Sequence, residues 1–333
     1  MMSIPNKAMG VMLVWLTAWI GAITMTAGEC RAADFARIDA RTVRDQGGRT
    51  IAVRKPFERI ISLYGAHTEN LFSLGAGAQV IGVSPNDSFP PQALQKPVFS
   101  YHDDPEKLIA AKPDLVLVRP MIDRGYPRWT AALERSGITV VSLQPSTIEA
   151  LFTYWEILGL LSGRPQQARA MIAHFQKTAA ALAARGRSVE QPRTVYFEAI
   201  HSKMKTFAPN SMAIFALETA GGVNAAADAR PVRNTNIAAY GKERILAGAD
   251  RIDVYLAQYG AMNAPSVELI REEPGFQAIK AVRAGNIYLI DEKIVSRPTL
   301  RLLEGIYEIG CRLYPEVFGS EIKPLLALPQ PSQ

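Results

Sequence analysis

Short apolar runs alternate with longer amphipathic stretches along most of this chain. Residues 59–63, 80–84, 115–118 and 138–143 are compact runs rich in Ile, Val and Leu, the pattern of strands buried on both faces. Between them, residues 69–74, 106–111 and 126–136 carry helical spacing, and Gly75 stops the first of these. Ser146, with Glu149 three residues on, predicts a capping box opening another helix. Ahead of this series, Asp45-Gln46-Gly47-Gly48 lies between β-prone pieces at 42–53 and predicts a hairpin. Strand and helix in alternation predict an α/β fold with a parallel or mixed sheet covered on both faces.

The pattern changes at Pro165. Ala168, Met171, Ile172, Phe175, Ala179 and Leu182 recur at helical spacing up to residue 185, with no Gly or Pro between them. A helix of about 20 residues is about 30 Å long. Gly186 and Pro192 are expected to close it. Alternation then resumes at 194–197, 212–220, 251–256 and 286–290. Residues 108–117 and 245–254 echo each other as helix end, Asp-bearing turn and strand, which supports two similar lobes joined by the long helix. The expected divisions are an N-terminal lobe at 43–163, a linking helix at 164–187, a C-terminal lobe at 190–318 and a tail at 319–333.

The first 33 residues read differently. Lys7 precedes a charge-free stretch from 8 to 28, and Cys30-Arg31-Ala32-Ala33 follows. A positive residue, an apolar run and small residues predict a cleaved secretory signal and a periplasmic location. An uncleaved anchor is the alternative. Cys30 invites lipid modification, but Glu29 stands where that processing needs a small residue. Without Cys30 only Cys311 remains, so no internal disulfide is expected. The remaining composition, 48% hydrophobic and 20% charged, supports an ordinary core. The formal net charge of +6 is spread along the chain, which argues against nucleic acid and suits an anionic ligand.

Several segments together resemble the periplasmic binding proteins for iron-siderophores, haem and vitamin B12. They are Arg59–Leu63 with Thr68-Glu69, Leu74–Gly77 with Ile81–Val83, and Ala111–Val116. Later come Glu218–Asn224, Pro274–Phe276, Ala281–Tyr288 and Ser296-Arg297-Pro298. The resemblance covers nearly all of residues 43–316. It implies two Rossmann-like lobes joined by one long helix, a ligand cleft between them, and little closure on binding. It also implies delivery to an ABC permease and its ATPase subunits, a monomer, no intrinsic cofactor and no catalysis. Glu69 and Glu218 match what we take as the family's two permease-docking glutamates, one per lobe. For Glu69, a favourable place near a helix N-terminus is the alternative explanation.

Ligands in such folds lie against loops that follow strand ends. These loops carry Tyr64 and His67; Asn86 and Asp87; Tyr101 and His102; Arg119, Arg124 and Tyr126; His201, Lys203 and Lys205; Arg230, Arg233 and Asn234; Tyr259; and Arg297. Tyrosines offer flat contact area and the cations offer partners for carboxylates. The resemblance implies that Tyr101 or His102 ligates iron if the ligand is haem. For both, and for His67, a structural role is the bland alternative. Three functions follow: capture of a ferric siderophore or haem, capture of a corrinoid, or a metallo-tetrapyrrole enzyme such as a chelatase. No nucleophile elbow, zinc helix or phosphate loop is present to support the third.

Overall fold

A computed structural model describes residues 35–232 and 235–326. The first lobe is built on a four-stranded parallel sheet in the order Val80–Gly82, Ile60–Ser62, Leu115–Val118, Thr139–Ser142. Leu115–Val118 is buried along its whole length, as its unbroken apolar run requires. The hairpin forms as expected, with Thr42–Arg44 and Thr50–Ala52 antiparallel. Arg49 fastens it to the lobe. Its guanidinium makes two 2.7 Å bonds to the Asp123 carboxylate and one of 2.5 Å to Glu134.

The second lobe has a mixed sheet. Thr194–Ile200, Val254–Tyr259 and Ile287–Asp291 run parallel, while Lys205–Phe207 pairs antiparallel to the first of them. Ile237–Ala239 and Arg230–Pro231 extend that side. These antiparallel strands are too short and too mixed in polarity to stand out in the sequence.

Some boundaries differ from expectation for identifiable reasons. The helix at Gly65–Ser73 takes in part of the loop expected to carry Tyr64 and His67, because extended Tyr64 is already its N-cap. A further helix, Pro120–Gly125, replaces the expected loop after Leu115–Val118. Thr147, not Ser146, caps Ile148–Leu161, accepting from Ala150 N at 3.3 Å. The long helix runs Pro165–Arg187, through Gly186. Glycine is needed there because a β-carbon would stand 2.5 Å from the Thr219 carbonyl and 2.7 Å from the Gly221 nitrogen.

The two lobes repeat a turn as well. Asp114 accepts from Glu58 N and Arg59 N at 2.8 and 2.9 Å, fixing the entry to Ile60–Ser62. In the second lobe Asp253 does the same for Thr194 N at 2.9 Å. Asp253 is therefore the counterpart of Asp114, and the connection ahead of it is longer than in the first lobe and forms the 3₁₀ turn Ala249–Arg251.

Phe175 sits at the centre of the long helix and is 1% exposed. Its ring meets Trp155 at 5.5 Å and Phe152 at 5.8 Å from the helix Ile148–Leu161, and Phe215 at 6.2 Å from the helix Met212–Thr219. One ring thus touches elements of both lobes. Phe175→Ala is expected to cost about 3–5 kcal/mol of stability, read as a lowered urea midpoint.

Candidate functional site

The carboxyl-terminal edges of the two sheets meet through the segment after Ile287–Asp291. Arg297 Nη1 lies 3.4 Å from Glu69 Oε1, and Arg297 Nη2 is 3.5 Å from the Asn86 carbonyl. Arg301 Nη1 is 3.9 Å from Glu69 Oε2, and Asn70 Nδ2 donates to the Pro298 carbonyl at 2.8 Å. Gly65 makes room for this contact, since a β-carbon there would stand 2.6 Å from Arg297 Nη1. Glu69 is 2% exposed. Burial pushes its pKa up to about 7, against the pull of Arg301 and Arg297. Asp87, bonded to Ser84 Oγ at 2.5 Å, is also shifted upward by burial. Glu69 is therefore not presented to a partner in this arrangement, as the docking expectation requires. Glu218 is exposed.

His67 is corrected as a ligand contact. It is fully buried, and both ring nitrogens are used. Nε2 lies 3.2 Å from the Val118 carbonyl, which can only accept, so Nε2 carries the proton. Nδ1 then accepts from Tyr154 Oη at 2.7 Å. Burial depresses its pKa to about 3. Tyr64 is half-buried above it, with the rings edge-to-face at 5.1 Å and the Arg119 guanidinium 4.7 Å from the tyrosine centroid. Arg119 Nε is buried without a hydrogen-bond partner.

Tyr101, His102 and Tyr126 come together although 24 residues separate the last two. The centroids of Tyr101 lie 4.2 Å from His102 and 4.9 Å from Tyr126. Tyr126 Oη is 3.3 Å from His102 Nδ1. The tyrosines are half-buried and the histidine is exposed. The loop before the helix Pro105–Ala110 supplies two of these rings, and the junction of Pro120–Gly125 with Pro127–Arg135 supplies the third. Arg124, in the same junction, is exposed and points to no partner among the described residues.

In the second lobe Tyr259, 44% exposed, ends its strand beside a cavity of about 230 Å³ lined also by Asp291, Arg301, Glu304 and Glu308. Lys203 is exposed beyond the neighbouring strand, and Lys205 is half-buried. Arg233 and Asn234 lie outside the described residues, as does the expected signal segment at 1–33. His201 belongs to a buried cluster. Glu198, fully buried, accepts from Tyr255 Oη at 2.5 Å, His201 Nδ1 at 2.7 Å and Asn263 Nδ2 at 3.2 Å. That carboxylate raises the pKa of His201. Little in the pattern of residues hints at Glu198, which sits inside the apolar strand Thr194–Ile200.

The repeat also places two glutamates alike. Glu106 is the second residue of Pro105–Ala110 and Glu243 the second of Lys242–Ala247, each preceding the turn that the lobes share. Both are exposed. The echo between 108–117 and 245–254 was the available clue.

Residues 60–294 match the family described as periplasmic binding protein. An uncharacterised ABC transporter substrate-binding lipoprotein of Bacillus subtilis is 25% identical over 286 residues, covering 83% of this chain and 86% of that one. The vitamin B12-binding protein of Vibrio cholerae is 25% identical over 260 residues, covering 77% and 89%. Among solved structures, a possible iron-binding periplasmic solute-binding protein from Staphylococcus epidermidis superposes with a TM-score of 0.68 at 26% identity. That match covers 78% of this chain and all of the other.

The depressed pKa of His67 has a consequence for stability. The unfolded chain takes up a proton below about 6.5, whereas the folded ring stays neutral until about pH 3. Its contribution is present above 6.5 and is lost as pH falls. Relative to His67→Leu, the wild-type protein should lose about 3 kcal/mol between pH 6.5 and about 4, measured by urea unfolding across that range.

Proposed function

This chain belongs to the periplasmic binding protein family, and from that premise we propose that its cleft captures an iron chelate, a siderophore or haem. The chelate is then handed to the permease of an ABC importer, driven by its ATPase subunits. The observation that carries this reading is the patch of Tyr101, His102 and Tyr126. Three rings in contact offer a flat surface to a large chelate, and their phenol and imidazole groups are chemically suited to ferric iron. Arg119 and Arg124 on the same lobe, with Lys203 beyond a strand end of the other lobe, supply partners for the carboxylates or hydroxamates of an anionic chelate. The work is binding and release, without turnover. It takes place in the periplasm, a location that the family match supports. The match to the Vibrio cholerae protein favours a second reading, a corrinoid in the same cleft.

Absorbance titration separates these ligands. Haem bound through Tyr101 gives a Soret band that Tyr101→Phe shifts, with affinity falling about tenfold or more. A ferric hydroxamate gives a charge-transfer band and no Soret band. Saturable binding of cobalamin alone would establish the corrinoid reading instead.

For docking we propose Glu106 and Glu243, the exposed glutamates at equivalent places on the two lobes. Paired charges of this kind set orientation and encounter rate more than affinity for cargo. Glu218 meets the exposure requirement too, while Glu69 would first have to leave Arg297 and Arg301. Glu106→Ala with Glu243→Ala should reduce chelate-dependent stimulation of the importer ATPase at least tenfold, while cargo affinity stays within about twofold. Glu69→Ala with Glu218→Ala is the comparison: loss of stimulation in that pair alone would return docking to those residues.

A further inference from the structure

The second lobe holds a cavity that the cleft function leaves unused. It measures about 210 Å³ and is lined by Thr194 and Tyr196 from one strand and Ile252 just ahead of the next. Those strands, Thr194–Ile200 and Val254–Tyr259, run parallel and carry His201 and Tyr259 at their other ends. A strand of this length spans about 20 Å, so the cavity and the cleft lie toward opposite edges of one sheet.

Its polar wall includes two buried donors without acceptors. Tyr196 is fully buried, and its hydroxyl has no hydrogen-bond partner. Asn224 is 7% exposed. Its Oδ1 accepts from Ala226 N at 2.9 Å, which fixes the amide orientation and leaves Nδ2 without a partner. Buried polar groups are nearly always paired, so two orphans on one cavity mark a missing acceptor. Arg244 and Arg251 line the same space. The Arg244 guanidinium lies 4.2 Å from the Tyr240 centroid and is paired with Asp228; Arg251 has no ion-pair partner among the described residues. Tyr240 has already committed its hydroxyl to the Ala225 carbonyl at 3.3 Å. Val223, Ala225 and Ile252 complete the lining with apolar surface.

We propose that this cavity is a second binding site, for a small organic anion bearing a carboxylate. The carboxylate oxygens accept from Asn224 Nδ2, Tyr196 Oη and the Arg251 guanidinium. The body of the ligand packs on the Tyr240 ring, Val223 and Ile252. The space is smaller than the roughly 300–1,000 Å³ of pockets for drug-sized ligands, so a siderophore or tetrapyrrole is excluded. Inorganic phosphate would satisfy the donors and leave the apolar wall uncovered.

Benzoate and inorganic phosphate are the probes, titrated into the full chain with calorimetry as the readout. Benzoate should bind saturably, and Arg251→Gln and Tyr196→Phe should each weaken it about tenfold or more. Chelate affinity at the cleft should be unchanged in Arg251→Gln. Tyr196→Phe removes only an unpaired hydroxyl, so without ligand its melting temperature should equal or exceed that of the wild type. Absence of saturable benzoate binding up to about 10 mM, or binding that survives both substitutions together, overturns the site. Phosphate binding as tightly as benzoate overturns its organic specificity.

Discussion

The arrangement depends on Phe175. Its ring is the meeting point of Trp155 and Phe152 from one lobe with Phe215 from the other, and it is carried by the helix that joins them. An aromatic side chain buried this completely contributes several kcal/mol, and interiors packed at this density deform little. A stiff helix of 23 residues with packed side chains at its middle leaves the lobes few ways to move. On the proposed reading the cleft is set largely before ligand arrives. A preformed site suits a rigid chelate, because ordering costs are met during folding instead of during binding.

Glu69 is the polar counterpart of that contact. Helix Gly65–Ser73 brings it to the carboxyl edge of its sheet, and Arg297 and Arg301 reach it from the other lobe. The geometry is loose, at 3.4 and 3.9 Å, and Oε2 has no hydrogen bond. Ion pairs buried under such conditions recover little of their desolvation cost. The rise of the Glu69 pKa to about 7 is that cost expressed as proton affinity. Its sign is opposite to that of His67. Glu69 favours the folded state fully below its ordinary carboxyl range and loses that advantage as pH rises through 7, whereas His67 loses its own as pH falls. The interlobe contact and the core beneath Tyr64 thus respond to acid in opposite senses.

The parallel strands and the long helix were legible in the sequence because each satisfies one strong requirement. Leu115–Val118 must be apolar throughout to lie inside a covered sheet, and Ala168 to Leu182 must keep a helical stripe. The short strands Lys205–Phe207 and Ile237–Ala239 carry no such pattern, since they are held by pairing with a longer neighbour. The site divided along the same line. Tyr101, His102 and Tyr126 could be placed on strand-end loops, and they do converge. His67 stood on the same kind of loop but starts a helix whose first turn faces the core, and spacing alone does not reveal which way that turn points. Glu198 was hidden because a carboxylate within an apolar strand is tolerable only with partners distant in sequence: Tyr255 and Asn263.

The duplicated turn explains where symmetry is kept and where it is lost. Asp114 and Asp253 each tie the start of one parallel strand to the next, a backbone task that permits little change. The helix before each turn inherits its direction, so Glu106 and Glu243 emerge at matching places without any contact between the lobes. Between helix and strand the constraint relaxes. The second lobe has a longer connection there, with the 3₁₀ turn Ala249–Arg251, and it carries Arg251 to a wall where Tyr196 and Asn224 lack acceptors. A connection beside a backbone geometry that both lobes share is where binding chemistry costs the fold least, and in the second lobe the longer connection borders the unpaired Tyr196 and Asn224 donors.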